Sequence, residues 1–150
     1  MSLPMLTEPR VAEPIQMLTT DECWRLLHRA GVGRLGIGGA GRVEIFPIHY
    51  LVYDKSILLR SAPGTTLVEL TKQPEVAFEI DGEDSRWHWS VIIHGRAVRL
   101  DDERDIIRSG VRDLASWSPT AKFNYVRILP DDVIGRRIDR HLFRRSSMLD

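Results

Sequence analysis

Residues 42–53 read RVEIFPIHYLVY, a long run of β-branched and aromatic side chains interrupted by Pro47. Such residues suit a pleated, half-buried surface, so the stretch reads as strand. Its apolar positions change phase at the proline: Val43 and Ile45 are odd, whereas Ile48, Tyr50 and Val52 are even. One extra residue reverses the faces of a strand, and proline tolerates the missing ladder bond, so the pattern predicts a bulge near Pro47.

Working outward, VGRLGI (32–37) and the glycines Gly38, Gly39 and Gly41 pair this run with a preceding strand through a hairpin. SILLR (56–60) is a further short strand, EVAFEID (75–81) alternates, and RWHWSVIIHGRAVRL (86–100) is a long strand with Gly95 as its bend. FNYVRIL (123–129) and VIGRRI (133–138) read as two more strands separated by Pro130. Helices are few. Thr19 and Glu22 form a capping box, Leu18 and Cys23 a hydrophobic staple, and Cys23, Leu26, Leu27 and Ala30 repeat at helical spacing until Gly31, predicting a helix at about 20–30. DDERDIIRSGVRDLASW predicts a second at about 102–115, and SAPGTTLVELTK (61–72) a turn leading into a short helix. Strands adjacent by hairpin with short helices between them predict a mainly β fold, an antiparallel barrel of six or seven strands rather than a parallel doubly wound sheet.

The chain has 150 residues, 43% of them hydrophobic, enough for one core without disulfides or a structural metal. Pro4, Pro9 and Pro14 mark residues 1–17 as an extended or mobile arm, 18–140 form the domain, and 141–150 a basic tail. The 21 basic and 21 acidic side chains cancel, so any bound anion must be held locally. One cysteine, Cys23, fits a reducing compartment, and neither a leader pattern nor a run of about 18 apolar residues occurs. The expectation is a soluble, unprocessed cytoplasmic protein without a membrane or nucleic-acid partner.

A candidate anion site follows the strand ending at Arg60. Ser61, Gly64, Thr65 and Thr66 stand between that guanidinium and a helix starting near Leu67. Guanidinium, hydroxyls and helix N-terminal amides are all phosphate donors. The alternative reading is that Thr65 or Thr66 caps the helix and Arg60 is a solvated strand end.

From about Leu18 to Ile138 the chain resembles the flavin-binding pyridoxamine 5′-phosphate oxidase-like family. The resemblance rests on GVGRLGI with EIFPIHYLVYDKSILLRSAPGTTLVEL, on PEVAFEID, on WSVIIHGRAVRL and on WSPTAKFNYVRILPDDVIGRRI, in matching order and spacing. It implies a split β-barrel and an FMN-dependent oxidoreductase whose substrate is a small molecule of unknown identity. The strand holding Phe46, Pro47, Ile48 and His49 would lie along the isoalloxazine ring, and Arg60, Ser61, Gly64, Thr65 and Thr66 would hold the phosphate. Trp89 and Ser90 would complete the site across a two-fold homodimer. Many relatives have lysine where Thr66 stands, which removes one phosphate ligand. IGRRIDRH (134–141) has no tryptophan before its arginines, so pyridoxamine phosphate is not assigned as substrate. A deazaflavin on the same fold, or a non-catalytic flavin- or heme-binding module, are the alternatives.

Other signals are weaker. His28, His49, His88, His94 and His141 have no metal-ligand spacing on any one helix. His49, beside Pro47, could touch the ring edge, though a structural histidine is the simpler reading. Trp87 and Trp89 share a strand face and suit packing more than ligand stacking. Arg136, Arg137, Arg140, Arg144 and Arg145 lack the interleaved aromatics of single-strand binders.

Overall fold

The hydroxyl of Thr19 accepts the Glu22 amide at 3.2 Å and donates to the Glu22 carboxylate at 3.1 Å. This cap starts α1 (Thr20–Arg29), and the i, i+4 pair Cys23 and Leu27 turns inward, each 1% exposed. The structure, a computed structural model, describes residues 14–39, 41–61, 74–114 and 124–142. Much of the arm, the segment with Gly64, Thr65, Thr66 and the expected helix near Leu67, and the tail beyond 142 lie outside the described residues.

The strands are β1 (Ile15–Met17), β2 (Val32–Gly39), β3 (Arg42–His49), β4 (Leu51–Tyr53), β5 (Ser56–Ser61), β6 (Glu75–Glu83), β7 (Trp87–Arg99) and β8 (Asn124–Asp139). All pairings among them are antiparallel, in the order β3-β2-β6-β7-β8-β5-β4, with β1 on β8. The chain leaves edge strand β3 at His49 and enters the opposite edge strand β4 at Leu51, with Tyr50 alone between them. One residue cannot span a flat sheet of seven strands, so the sheet must curl until its edges meet, which makes the predicted split barrel. Inward-facing Leu35, Ile37, Phe78, Ile80, Val91, Ile93, Val126 and Ile128 fill it beneath α1. On the other face of β5, Leu58 packs with Leu100, Ile106 and Val111 under α2 (Glu103–Ser109) and the 3-10 turn Val111–Asp113.

Several sequence expectations are corrected. The β2–β3 register runs unbroken from Val32 opposite His49 to Gly39 opposite Arg42, so no bulge occurs at Pro47. The phase change has another cause. Phe46, Ile48 and Tyr50 pack on the core, while Val43 and Ile45 stand 77% and 67% exposed on the outer face, so β3 is apolar on both sides. Pro47 is tolerated because an edge strand has ladder positions with no partner.

Pro130 does not divide the last strand. β8 continues through it, with Gly95 opposite Pro130 but His94 opposite Asp132, so the bulge falls here and Asp131 is the extra residue. Gly95 is the predicted bend for a steric reason: a Cβ there would lie 2.3 Å from the Leu129 carbonyl oxygen. The second helix stops at Ser109 because Gly110 takes φ 76°, a left-handed cap. Residues Ile15–Met17 pair with Ile138–Arg136, so order begins before Leu18. Among the described residues no helix is long and apolar enough to cross a membrane.

Tyr50 holds the closure. It is 4% exposed, its hydroxyl donates to the Leu27 carbonyl at 2.5 Å, and its ring meets Phe78 edge-on at 4.9 Å. Burial pushes the phenol pKa far up, so it remains a donor at all ordinary pH values. Tyr50→Phe keeps the ring but orphans a carbonyl of the last turn of α1, and should cost about 1–2 kcal/mol. Urea unfolding checks this: the midpoint should fall with an unchanged slope.

Candidate cofactor site

The residues predicted to line a flavin divide by strand geometry. On β3, Phe46 and Ile48 send their side chains into the core, so toward a ligand they have only backbone to offer. Pro47 and His49 alternate with them and share the outer face with Val43 and Ile45. Beside that row, Gly36 and Gly38 of β2 pair with Ile45 and Val43 and add no side chain above the sheet. The result is a low apolar strip. Because β3 ends the sheet, the amide and carbonyl groups on its outer edge have no strand partner within the described sheet.

Arg60 lies near the end of β5 opposite Tyr125, with Ser61 opposite Asn124. It is half-buried and its guanidinium donates to the Leu114 carbonyl, just after the 3-10 turn. A fully solvated strand end is therefore not what the structure shows. Gly64, Thr65 and Thr66, the rest of the predicted phosphate cradle, lie outside the described residues. Strands β3 and β5 approach each other across the closure at Tyr50, so the fold brings the Phe46–His49 and Arg60–Ser61 segments to one side of the barrel.

Trp89 and Ser90 do not join them within one chain: on β7 they are separated from β3 by β2 and β6, and from β5 by β8. They also point to opposite faces. The Trp89 indole lies over Gly82, where a Cβ would come within 2.4 Å of its ring. Ser90 sits between Asp81 and Arg136 and lines, with His88 and Ile138, an outer cleft of about 310 Å³.

One polar network on the outer face was missed by sequence reasoning. Arg34 bonds both Glu79, at 3.2 Å, and Asp81, at 2.6 Å, and Arg34 pairs with Pro47 on its other side. The only sequence signal was two carboxylates at alternate positions of EVAFEID. Their arginine comes from β2 through the Arg34–Glu79 register, which a single sequence does not reveal.

Comparison with known proteins adds kinship to this geometry. The family model for pyridoxamine 5′-phosphate oxidase matches residues 19–137. The FAD binding protein from Mycobacterium smegmatis is 36% identical, with a TM-score of 0.71, over 83% of this chain and 98% of that one. A FAD-binding protein from Mesorhizobium loti is 28% identical, with a TM-score of 0.69, over 82% of this chain and 96% of that one. An uncharacterized protein of Mycobacterium tuberculosis is 31% identical over 86 residues, 57% of this chain and 78% of its own length.

The acidic pair titrates unusually. Burial first, then its hydrogen bond and charge contact with Asp81, pushes the Glu79 carboxyl up to about 7, while Asp81 is held below the usual range by that bond and by Arg34. Between the ordinary value of 4.5 and about 7, the unfolded chain releases the Glu79 proton while the folded chain keeps it. The folded state then binds more protons, so this group makes stability fall as pH rises through that window. Glu79→Gln should remove that fall. In thermal melts from pH 4 to 8, the variant should gain on wild type across the window and level off above it; parallel curves would contradict the assignment.

Proposed function

The chain belongs to the pyridoxamine 5′-phosphate oxidase family, and on that premise we propose that it is a flavin-dependent oxidoreductase holding FMN on the outer side of β3. The carrying observation is that strip: an edge strand with Val43 and Ile45 exposed, glycines beside them, and a cationic strand end nearby. These residues fit the group. A planar, largely apolar ring suits a surface without projecting side chains, and an edge strand's backbone suits the polar rim of the ring system.

In this reading Arg60, oriented by its bond to the Leu114 carbonyl, supplies the positive charge that faces the phosphate, aided by Ser61, Gly64, Thr65 and Thr66. When bound, the flavin supplies the hydride or electron transfer, so no protein nucleophile is required. His49, on the outer face next to Pro47, is placed to meet the ring edge. Ser90 reaches the site only from a second copy, which makes the assembly a homodimer seated on the apolar outer face, while the Trp89 indole turns to the inner face and does not join it. Exposed Val32 and Ile134, at 45% and 44%, extend that face across the sheet. The lone cysteine is a buried free thiol, in keeping with a cytoplasmic address.

FAD is the second reading, favoured by the two relatives that bind it. Its riboflavin 5′-phosphate half would use the same strip and the same arginine. Mass analysis of the cofactor released from purified protein separates the two.

Truncating Arg60 to Ala should weaken FMN binding about ten- to a hundredfold, the loss of one charge-assisted bond, while riboflavin binds both forms alike. Unchanged FMN affinity, or an equal loss for riboflavin, would defeat the phosphate assignment. With saturating FMN, light scattering should report a dimer, its interface burying over about 1,000 Å². A monomer under those conditions would defeat the shared site.

A further inference from the structure

Beneath α1, on the opposite face of the sheet from the β3 strip, lies a cleft of about 410 Å³ that the proposed flavin chemistry does not use. Leu18 and Leu26 form apolar walls, and the indoles of Trp87 and Trp89 lie at its base. Both rings are held in place. Trp89 fills the space left by Gly82, and the Arg137 guanidinium stacks over Trp87 at 4.3 Å while its Nε and Nη2 donate to the Gln16 side chain at 2.9 and 2.6 Å.

The rim is cationic. Arg25 and Arg29, one helical turn apart on α1, join Arg137 around the opening. Among the described residues, no ion pair or hydrogen bond engages the guanidinium of Arg25 or Arg29. The two carboxylates present are occupied: Glu22 accepts from the Thr19 hydroxyl, and Asp84 accepts the amides of Arg86 and Trp87 at 2.9 and 2.7 Å. Three guanidinium groups thus stand around two carboxylates that keep their charge, which leaves the rim with an excess of one positive charge. Guanidinium donors next to clamped aromatic rings match one ligand chemistry, a flat ring system carrying a negative group.

We propose that this cleft binds a planar aromatic anion of one or two rings, with its ring against the Trp89 indole and the Leu18 and Leu26 walls and its carboxylate or phosphate between Arg25, Arg29 and Arg137, while Trp87 is stacked between Arg86 and Arg137. The volume sits at the small end of the usual range for ligand pockets, which sets the ring count. Ser90, facing the outer cleft, stays with the flavin reading, whereas the Trp89 indole belongs here.

The probe pair is naphthalene-2-carboxylate and its neutral shape match naphthalene-2-carboxamide, titrated into the full-length protein by calorimetry. Amide shifts of labelled protein locate the binding. The carboxylate should bind at least about tenfold tighter than the amide, with shifts in α1 and at the Trp87 and Trp89 indole groups. Arg25→Gln and Arg29→Gln, exposed helix positions where glutamine keeps helix propensity, should each weaken the carboxylate several-fold and leave the amide unchanged. Both should also leave FMN titrations unchanged, so failure of the flavin reading does not touch this test. Equal affinity for the two probes, variants that bind as wild type, or shifts centred on β3 and β5 would each overturn the proposal, as would the absence of binding.

Discussion

The molecule depends on one residue's length of chain. Tyr50 joins the two edges of the sheet, and its hydroxyl ties the same point to the end of α1. A single contact thereby satisfies a helix-terminal carbonyl, closes the barrel and lays α1 over the inner surface. Both candidate sites follow from it. Closure brings the end of β5 toward β3, and seating α1 against β7 and β8 creates the cleft beneath it. The buried ring of Tyr50, edge-on to fully buried Phe78, gives the hydrogen bond a dry setting where leaving it unmade is expensive.

That constraint also explains why β3 violates ordinary strand patterning. An edge strand that faces water normally turns polar residues outward, yet Val43 and Ile45 are exposed and Glu44 shares their strand. Exposed apolar side chains on an unprotected edge invite association, and this is the surface that the proposed flavin and second copy would cover. The inner face is conventional, with Leu35, Phe78 and Ile93 close to fully buried. Packing thus accounts for one face of the sheet, and function is the economical account of the other.

What could be read from the sequence were features whose cause is local. The capping box at Thr19, the alternation of EVAFEID and the many short strands all arise from neighbours within a few residues, and they were enough for the fold class. Pro47 and Pro130 misled for the same reason in reverse. Each was read as a local break, whereas partner strands decide the outcome: β2 keeps register with β3 past Pro47, and the bulge at Pro130 is set by the close approach of Gly95. For the proposed site, Arg60 and the β3 segment could be put forward together from the sequence because they lie near each other in it. The Arg34–Glu79–Asp81 network and the arginine rim of the α1 cleft could not, since each joins elements 45 or more residues apart.

Charge gives the last step. The formal net charge is zero, so no long-range field sorts ligands by sign. Recognition then depends on which cations the fold leaves without a carboxylate. Arg34 has two, Arg112 has Glu103, and Arg86 lies 4.0 Å from Asp139. Arg137 is held by an amide oxygen and an indole, which orient a guanidinium without neutralising it. The distinction is physical: an arginine paired with a carboxylate has little attraction left for an anion, while one aimed by neutral acceptors keeps its full charge in a chosen direction. In a neutral protein, that difference in partners sets Arg137 of the α1 cleft apart from the arginines bridged to surface carboxylates.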